Sequence, residues 1–125
     1  MGGTWLRTMV LCHPRRETAM LLAIVLAAAL LSEEILPPLP PMEFDKPYKG
    51  ELQVIVVPPL EVHFQCTGSR QPIFGRWVQG CAQPYEGGCT IILPSHGPSK
   101  EYLQRLYRHE RGHCNGWPAD HPNPR

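Results

Sequence analysis

From Leu52 to Val57 the chain reads LQVIVV, a β-branched run bounded by Gly50 and Pro58, and this pattern predicts a strand. Val62 to Cys66, VHFQC, alternates in character and reads as a second strand. Ile73 to Val78, IFGRWV, reads as a third with a glycine irregularity. Cys89 to Leu93, CTIIL, gives the clearest strand pattern, preceded by Gly87-Gly88 and stopped by Pro94. From Ser99 the period changes. Leu103, Leu106, Tyr107, Glu110, His113 and Cys114 recur at three- and four-residue steps, which is helical spacing, while Lys100, Arg105, Arg108 and Arg111 supply the solvated side. Ser99 is suited to cap this helix and Glu101 suits its dipole; Gly116 can end it and Pro118 keeps it from resuming. Several short strands followed by one well-marked helix predict a small α+β domain, with the sheet packed on the C-terminal helix.

Upstream of this domain the pattern is different. Ala19 to Leu31, AMLLAIVLAAALL, carries no charge and follows Arg7, Arg15 and Arg16. As a helix it would reach roughly 20 Å, short of the ~30 Å hydrocarbon core, and its length suits the apolar region of a signal peptide. Residues 1–31 are therefore expected to form a signal peptide or short anchor. Residues 32–50, SEEILPPLPPMEFDKPYKG, hold five prolines and predict an extended linker, with the folded domain in residues 51–125.

The cysteines agree with export. Cys12 would leave with the signal, and Cys66, Cys81, Cys89 and Cys114 remain, an even number that predicts two disulfides in an exported domain of this size. Four cysteines allow three pairings, and the sequence does not choose among them. Net charge is +1 and hydrophobic content 42%, so the chain can build a modest core and gives no overall sign of binding nucleic acid or an anionic membrane surface. The expected location is secreted or periplasmic, with membrane contact only through the signal or anchor.

Within the C-terminal helix stands His109-Glu110-Arg111-Gly112-His113. Two histidines four residues apart lie on one helix face, one turn from each other, where both imidazoles can bind a single Zn²⁺. Glu110 between them is placed to act on water at the metal as a general base. A catalytic zinc needs a third protein ligand and one open position. His121, just past the Gly116-Trp117-Pro118 turn, is the first candidate and Asp120 the second; His96 and His63, in predicted loop and strand, are weaker. Trp117, Tyr102 and Tyr107 are expected to pack rather than to contact substrate. Cys114 points away from the histidine face, so a disulfide is expected there rather than metal ligation.

The segment HERGHCNGWPADH resembles the active-site helix of zincin metallopeptidases, most closely the metzincin-like order of two histidines, a glycine turn and a third His or Asp. His109, Glu110, His113 and Gly116 match that pattern position for position. Its third ligand would fall at Ala119; here Asp120 and His121 come one and two residues later. The preceding CTIILP resembles the zincin edge strand that pairs with an extended substrate.

The resemblance implies a small exported zinc-dependent hydrolase of peptidase type acting on a peptide or protein substrate. The alternative is an exported, disulfide-stapled protein that binds zinc without catalysis, or a binding protein with no metal. About 75 residues make a core worth only about 3 to 5 kcal/mol, so disulfides and zinc are expected to share in stabilising it. That scale leaves little chain for deep specificity pockets. Oligomeric state is not indicated.

Overall fold

A computed structural model describes Met20 and residues 34–125. The signal peptide expected over residues 1–31, with Cys12 in it, lies outside the described residues apart from Met20. Ile35–Arg125 form one compact unit. Its elements are β1 (Glu51–Val57), α1 (Pro59–Thr67), β2 (Cys81–Tyr85), β3 (Gly88–Pro94) and α2 (Lys100–Cys114). The class is α+β: a three-stranded mixed sheet, two helices and two disulfides.

The strand order is β1-β3-β2, with β3 parallel to β1 and antiparallel to β2. β2 and β3 form a hairpin across Glu86-Gly87, where Gly87 sits at φ 85°. The GCTIILP run is central and nearly continuous in burial, with Cys89, Ile91 and Ile92 at 0%, 0% and 3% exposure. That pattern is expected of a strand covered on both faces, and both helices pack against β3. CTIILP is therefore not an edge strand, contrary to the reading from resemblance. The edges are β1 and β2, and Pro84 is compatible with β2 only because an edge strand can lack a ladder donor.

Two of the four predicted strands differ in the structure. VHFQC lies inside α1, with Pro59 at the first helical turn, Glu61 beside it, and Gly68 closing the end at φ 71° with its N–H on the Phe64 carbonyl. Proline at the start and glycine just past the end are helix punctuation, and they outweigh the β-leaning composition between them. IFGRWV forms only an isolated bridge between Ile73 and Arg76. The third strand is instead CAQPY, which has no β-branched residue and no alternating pattern to announce it.

The disulfides join Cys66 to Cys81 and Cys89 to Cys114. The first links the end of α1 to the start of β2; the second fastens the last residue of α2 to the central strand. Ser99 caps α2 as expected, its hydroxyl accepting the Tyr102 N–H.

The proline-rich segment expected as a linker is packed along α2. Its carbonyls are taken by side chains of the helix: Arg105 Nε donates to Pro37 at 3.0 Å, and Asn115 Nδ2 donates to Phe44 and Lys46 at 2.9 and 2.7 Å. Leu39 and Arg125 exchange both backbone hydrogen bonds. Pro40 is buried over Gly112, where an added Cβ would stand 2.7 Å from the proline ring. Prolines exclude helix and ladder pairing but keep free carbonyl acceptors, so a row of donors on a neighbouring helix can bind them.

Asp45 fixes the far end of this strap. Its carboxylate, 5% exposed, meets the guanidinium groups of Arg108, Arg111 and Arg125. The hydrogen bond from Arg108 is the main cause that holds the Asp45 pKa below its ordinary value; burial opposes it, and the charge of Arg108 with the bonds from Arg125 and Arg111 add to the lowering. A carboxylate with a depressed folded-state pKa contributes stability above its unfolded value, near 4, and loses it as pH falls through the folded value. Asp45→Asn is expected to cost on the order of 1–2 kcal/mol at pH 7, because two of the arginines are well exposed and screened. It should also flatten the acid limb of a stability–pH profile below about pH 4, as measured by urea unfolding. An unchanged acid limb would show that Asp45 is not the titrating anchor.

Candidate metal centre

α2 places His109 and His113 on one face, as a four-residue step requires. Past Cys114 the chain reverses: Gly116 takes φ 96°, and the Trp117 N–H returns to the Gly112 carbonyl at 3.0 Å. Pro118 and Ala119 follow, and His121, itself at φ 56°, turns its ring back to the helix. The three Nε2 atoms then face one another: 3.3 Å between His109 and His113, 3.1 Å from His121 to each. His109, His113 and His121 could hold a metal ion. Asp120 does not join them, although its charge acts on the His121 ring.

The donor chemistry fits a cation. His109 Nδ1 lies 2.8 Å from the Pro38 carbonyl and His113 Nδ1 lies 2.7 Å from the Trp117 carbonyl. A carbonyl only accepts, so both Nδ1 atoms carry hydrogen, which leaves Nε2 as the ligating nitrogen of each ring. Two lone pairs 3.3 Å apart cannot bond to each other. Tetrahedral ligands about 2.0–2.1 Å from one zinc ion stand about 3.3 Å apart, close to the triangle seen here. The backbone carbonyls on the far nitrogens fix the orientation of the rings, as carbonyl acceptors usually do around metal-binding histidines. Burial, chiefly, lowers the His109 pKa to about 4; the neighbouring His113 and His121 add to this and the Pro38 hydrogen bond opposes it. His121 is lowered too, first by burial and then by His113, with Asp120 opposing. His109 and His121 are thus held neutral at pH 7, as ligation requires.

Trp117, 2% exposed, underlies all three rings. It stacks on His113 at 5.0 Å, meets His109 edge-on at 5.1 Å, and gives its indole N–H to Pro122 at 2.9 Å. It both packs the helix end and lines the cleft above it.

Glu110 is 5% exposed, and desolvation alone raises its pKa to about 8. Its carboxyl lies against Gly80, where an added Cβ would stand 3.2 Å from Oε1 and 3.3 Å from the Ile92 carbonyl. A side chain at Gly80 would fill the place that Glu110 occupies. Glu110 borders two cavities. One, of about 530 Å³, is lined by the three histidines, Trp117 and the edge strand residues Ala82 and Pro84. The other, of about 400 Å³, is walled by Leu36, Pro37, Tyr102 and Leu106. The second cavity exists because the proline-rich strap passes over α2.

The weaker candidates are placed elsewhere. His63, buried in α1, gives and accepts hydrogen bonds with the loop that follows. His96 is exposed beside Ser95. Tyr102 borders the smaller cavity, whereas Tyr107 receives the Arg111 guanidinium over its ring. What sequence reasoning missed is the support: the Pro38 carbonyl, Gly80 and the Asp45 anchor. Only Asp45 leaves a trace in the sequence, as an acid amid prolines upstream of an arginine-rich helix.

Comparison with protein-family models, with curated proteins and with solved structures returns no match. Among the described residues no helix is long and apolar enough to cross a membrane. The two closed disulfides belong with an oxidising environment.

Proposed function

We propose that this protein is a small secreted or periplasmic zinc-dependent hydrolase of metallopeptidase type. The observation that carries the reading is the convergence of three histidine Nε2 lone pairs at 3.1–3.3 Å beside a buried glutamate. Imidazole ligands suit zinc among the available divalent ions. His109, His113 and His121 would hold the ion, and the cavity they line would leave it open to water and substrate. Zinc there would supply Lewis acidity toward water and a substrate carbonyl.

Glu110 takes the proton. Burial alone would keep its carboxyl protonated through neutral pH; a dication held by the neighbouring histidines would favour the carboxylate form and let Glu110 act as a base. The small scale of the folded unit, Ile35–Arg125, argues for a shallow, unselective cleft. The edge strand beside it, β2, is the element positioned to pair with an extended peptide.

Glu110→Gln separates catalysis from metal binding. The variant is expected to retain zinc and to lose peptide hydrolysis by about 10²–10⁴-fold, the usual contribution of a general base. Cleavage of an unfolded casein substrate and zinc content by atomic emission are the two readouts. Hydrolysis that persists at the wild-type rate refutes the role of Glu110; zinc retained by a wild-type protein with no hydrolytic activity favours the non-catalytic zinc-binding alternative.

A further inference from the structure

The outer part of the loop between α1 and β2, residues 70–77, lines neither cavity beside Glu110, yet it is firmly held. Its base is closed by Cys66–Cys81. His63, 1% exposed, ties both arms: Nδ1 accepts the Val78 N–H at 3.0 Å, so Nε2 carries hydrogen and donates to the Gln71 carbonyl at 2.7 Å. The His63 ring also meets Trp77 at 4.8 Å. At the tip, Ile73 and Arg76 exchange both backbone hydrogen bonds around Phe74-Gly75. Both turn residues have positive φ, 49° and 71°, the geometry that Asn-Gly adopts most readily.

Phenylalanine is a poor choice for that position. A bulky L residue rarely takes the left-handed region, and the Phe74 ring, 99% exposed, gains no packing in return. Ile73 and Trp77 are 43% and 50% exposed beside it. Arg76 pairs with Ile73 beside the turn, Arg70 lies over the Phe64 ring of α1 at 4.5 Å, and no acidic residue occurs between Val62 and Tyr85. Glu61 approaches Arg70 at 3.8 Å, but both side chains are well exposed and the pair is weak. The near-neutral charge of the whole chain conceals this local excess.

We propose that residues 70–77 are a docking finger for an anionic phospholipid surface. Phe74 and Ile73 enter the acyl-chain boundary, Trp77 sits at headgroup depth, and Arg70 and Arg76 meet lipid phosphates. Three exposed apolar side chains and two cations on one short loop supply both kinds of contact that such a surface binds, acyl chain and phosphate. The loop is preset by its own hydrogen bonds and the Cys66–Cys81 bridge, which suits a fluid interface that needs no complementary pocket. This inference is independent of the zinc reading.

The test uses the compact unit Ile35–Arg125, so that the apolar Ala19–Leu31 run cannot itself enter the bilayer, with Trp77 and the buried Trp117 as emitters. Vesicles are phosphatidylcholine with or without phosphatidylserine, carrying brominated acyl chains that quench tryptophan within the bilayer. Trp77 is expected to be quenched only when phosphatidylserine is present, and less so at high salt. Phe74→Asn suits the turn better, so it should fold at least as well while loop insertion falls about tenfold. Arg70→Gln with Arg76→Gln should lower insertion by roughly tenfold or more. The proposal is overturned if Trp77 stays unquenched, if quenching is equal on pure phosphatidylcholine, or if Phe74→Asn leaves it unchanged. It is likewise overturned if Phe74→Asn dissociates a dimer in the absence of vesicles, since a second copy would then cover the finger.

Discussion

His113→Ala is expected to strip zinc from the protein and to abolish the stability that depends on it. Of the three histidines, His113 lies between the others in the chain and has its ring stacked on Trp117, with Nδ1 on the Trp117 carbonyl. Its loss leaves two ligands, one of them on a loop, and a vacated volume over the indole. In the wild type, a zinc concentration a thousandfold above Kd adds about 4 kcal/mol, because zinc binds the folded state and the unfolded chain scatters its ligands. For a domain of this size each kcal/mol moves the unfolding midpoint by roughly 4–8 °C. Chelation under non-reducing conditions should thus lower the wild-type Tm by roughly 15–30 °C. The His113→Ala variant should already lie near the lower value and be insensitive to zinc or chelator. Zinc content measured on the purified protein should fall from about one ion per chain to near zero. If wild-type Tm does not respond to chelation and its zinc content is near zero, the converging histidines are not a metal centre.

This centre is partly legible in the sequence because its first pair lies on one helix. A four-residue step fixes the relative direction of His109 and His113 whatever the rest of the fold does. The third histidine depends on a turn instead. Gly116 announces that the chain reverses, but whether Asp120 or His121 returns to the helix is decided by the dihedrals of the residues between, including the positive φ of His121 itself. Single-residue shifts of that kind leave no periodic pattern, which is why both candidates stand open from the sequence. The second shell is less legible still. Pro38 contributes only its carbonyl to His109, and a backbone atom has no sequence signature.

The sheet shows the same division. LQVIVV and CTIIL are recognised as strands because β-branched runs between breakers favour extended backbone, although only CTIIL is central and buried and LQVIVV forms an exposed edge. VHFQC misleads because its composition favours strand while its flanks, Pro59 and Gly68, favour helix; over nine residues the punctuation decides. CAQPY has neither pattern, and pairs because the Glu86-Gly87 hairpin and the Cys66 bridge hold it beside β3. The proline-rich segment is the clearest limit. Its composition excludes regular structure, and only the row of donors on α2 converts an extended segment into a strap that forms one wall of the smaller cavity.

The two disulfides should differ in what they protect. Cys89–Cys114 closes a span of 25 residues and Cys66–Cys81 one of 15. Loop-closure entropy makes these worth about 3.5 and 3 kcal/mol, so on that ground they are close to equal. Their positions are not. Cys89 is fully buried on the central strand, and Cys114 is the last residue of α2, next to His113 and two residues before the Gly116 turn. Paired Cys89→Ala and Cys114→Ala substitutions are expected to lower unfolding free energy by about 3 to 4 kcal/mol, a large share of the 5–15 kcal/mol typical of a domain. They should also weaken zinc binding by roughly tenfold or more, because the end of α2 and the turn that returns His121 lose their anchor to the sheet. The corresponding Cys66→Ala and Cys81→Ala pair should cost similar stability and leave zinc affinity within a few-fold, since that bridge fastens the base of the exposed loop. Urea unfolding and competitive zinc titration on the two variants measure both quantities. Equal losses of zinc affinity would show that the metal centre draws its order from the fold as a whole and not from the Cys89–Cys114 anchor.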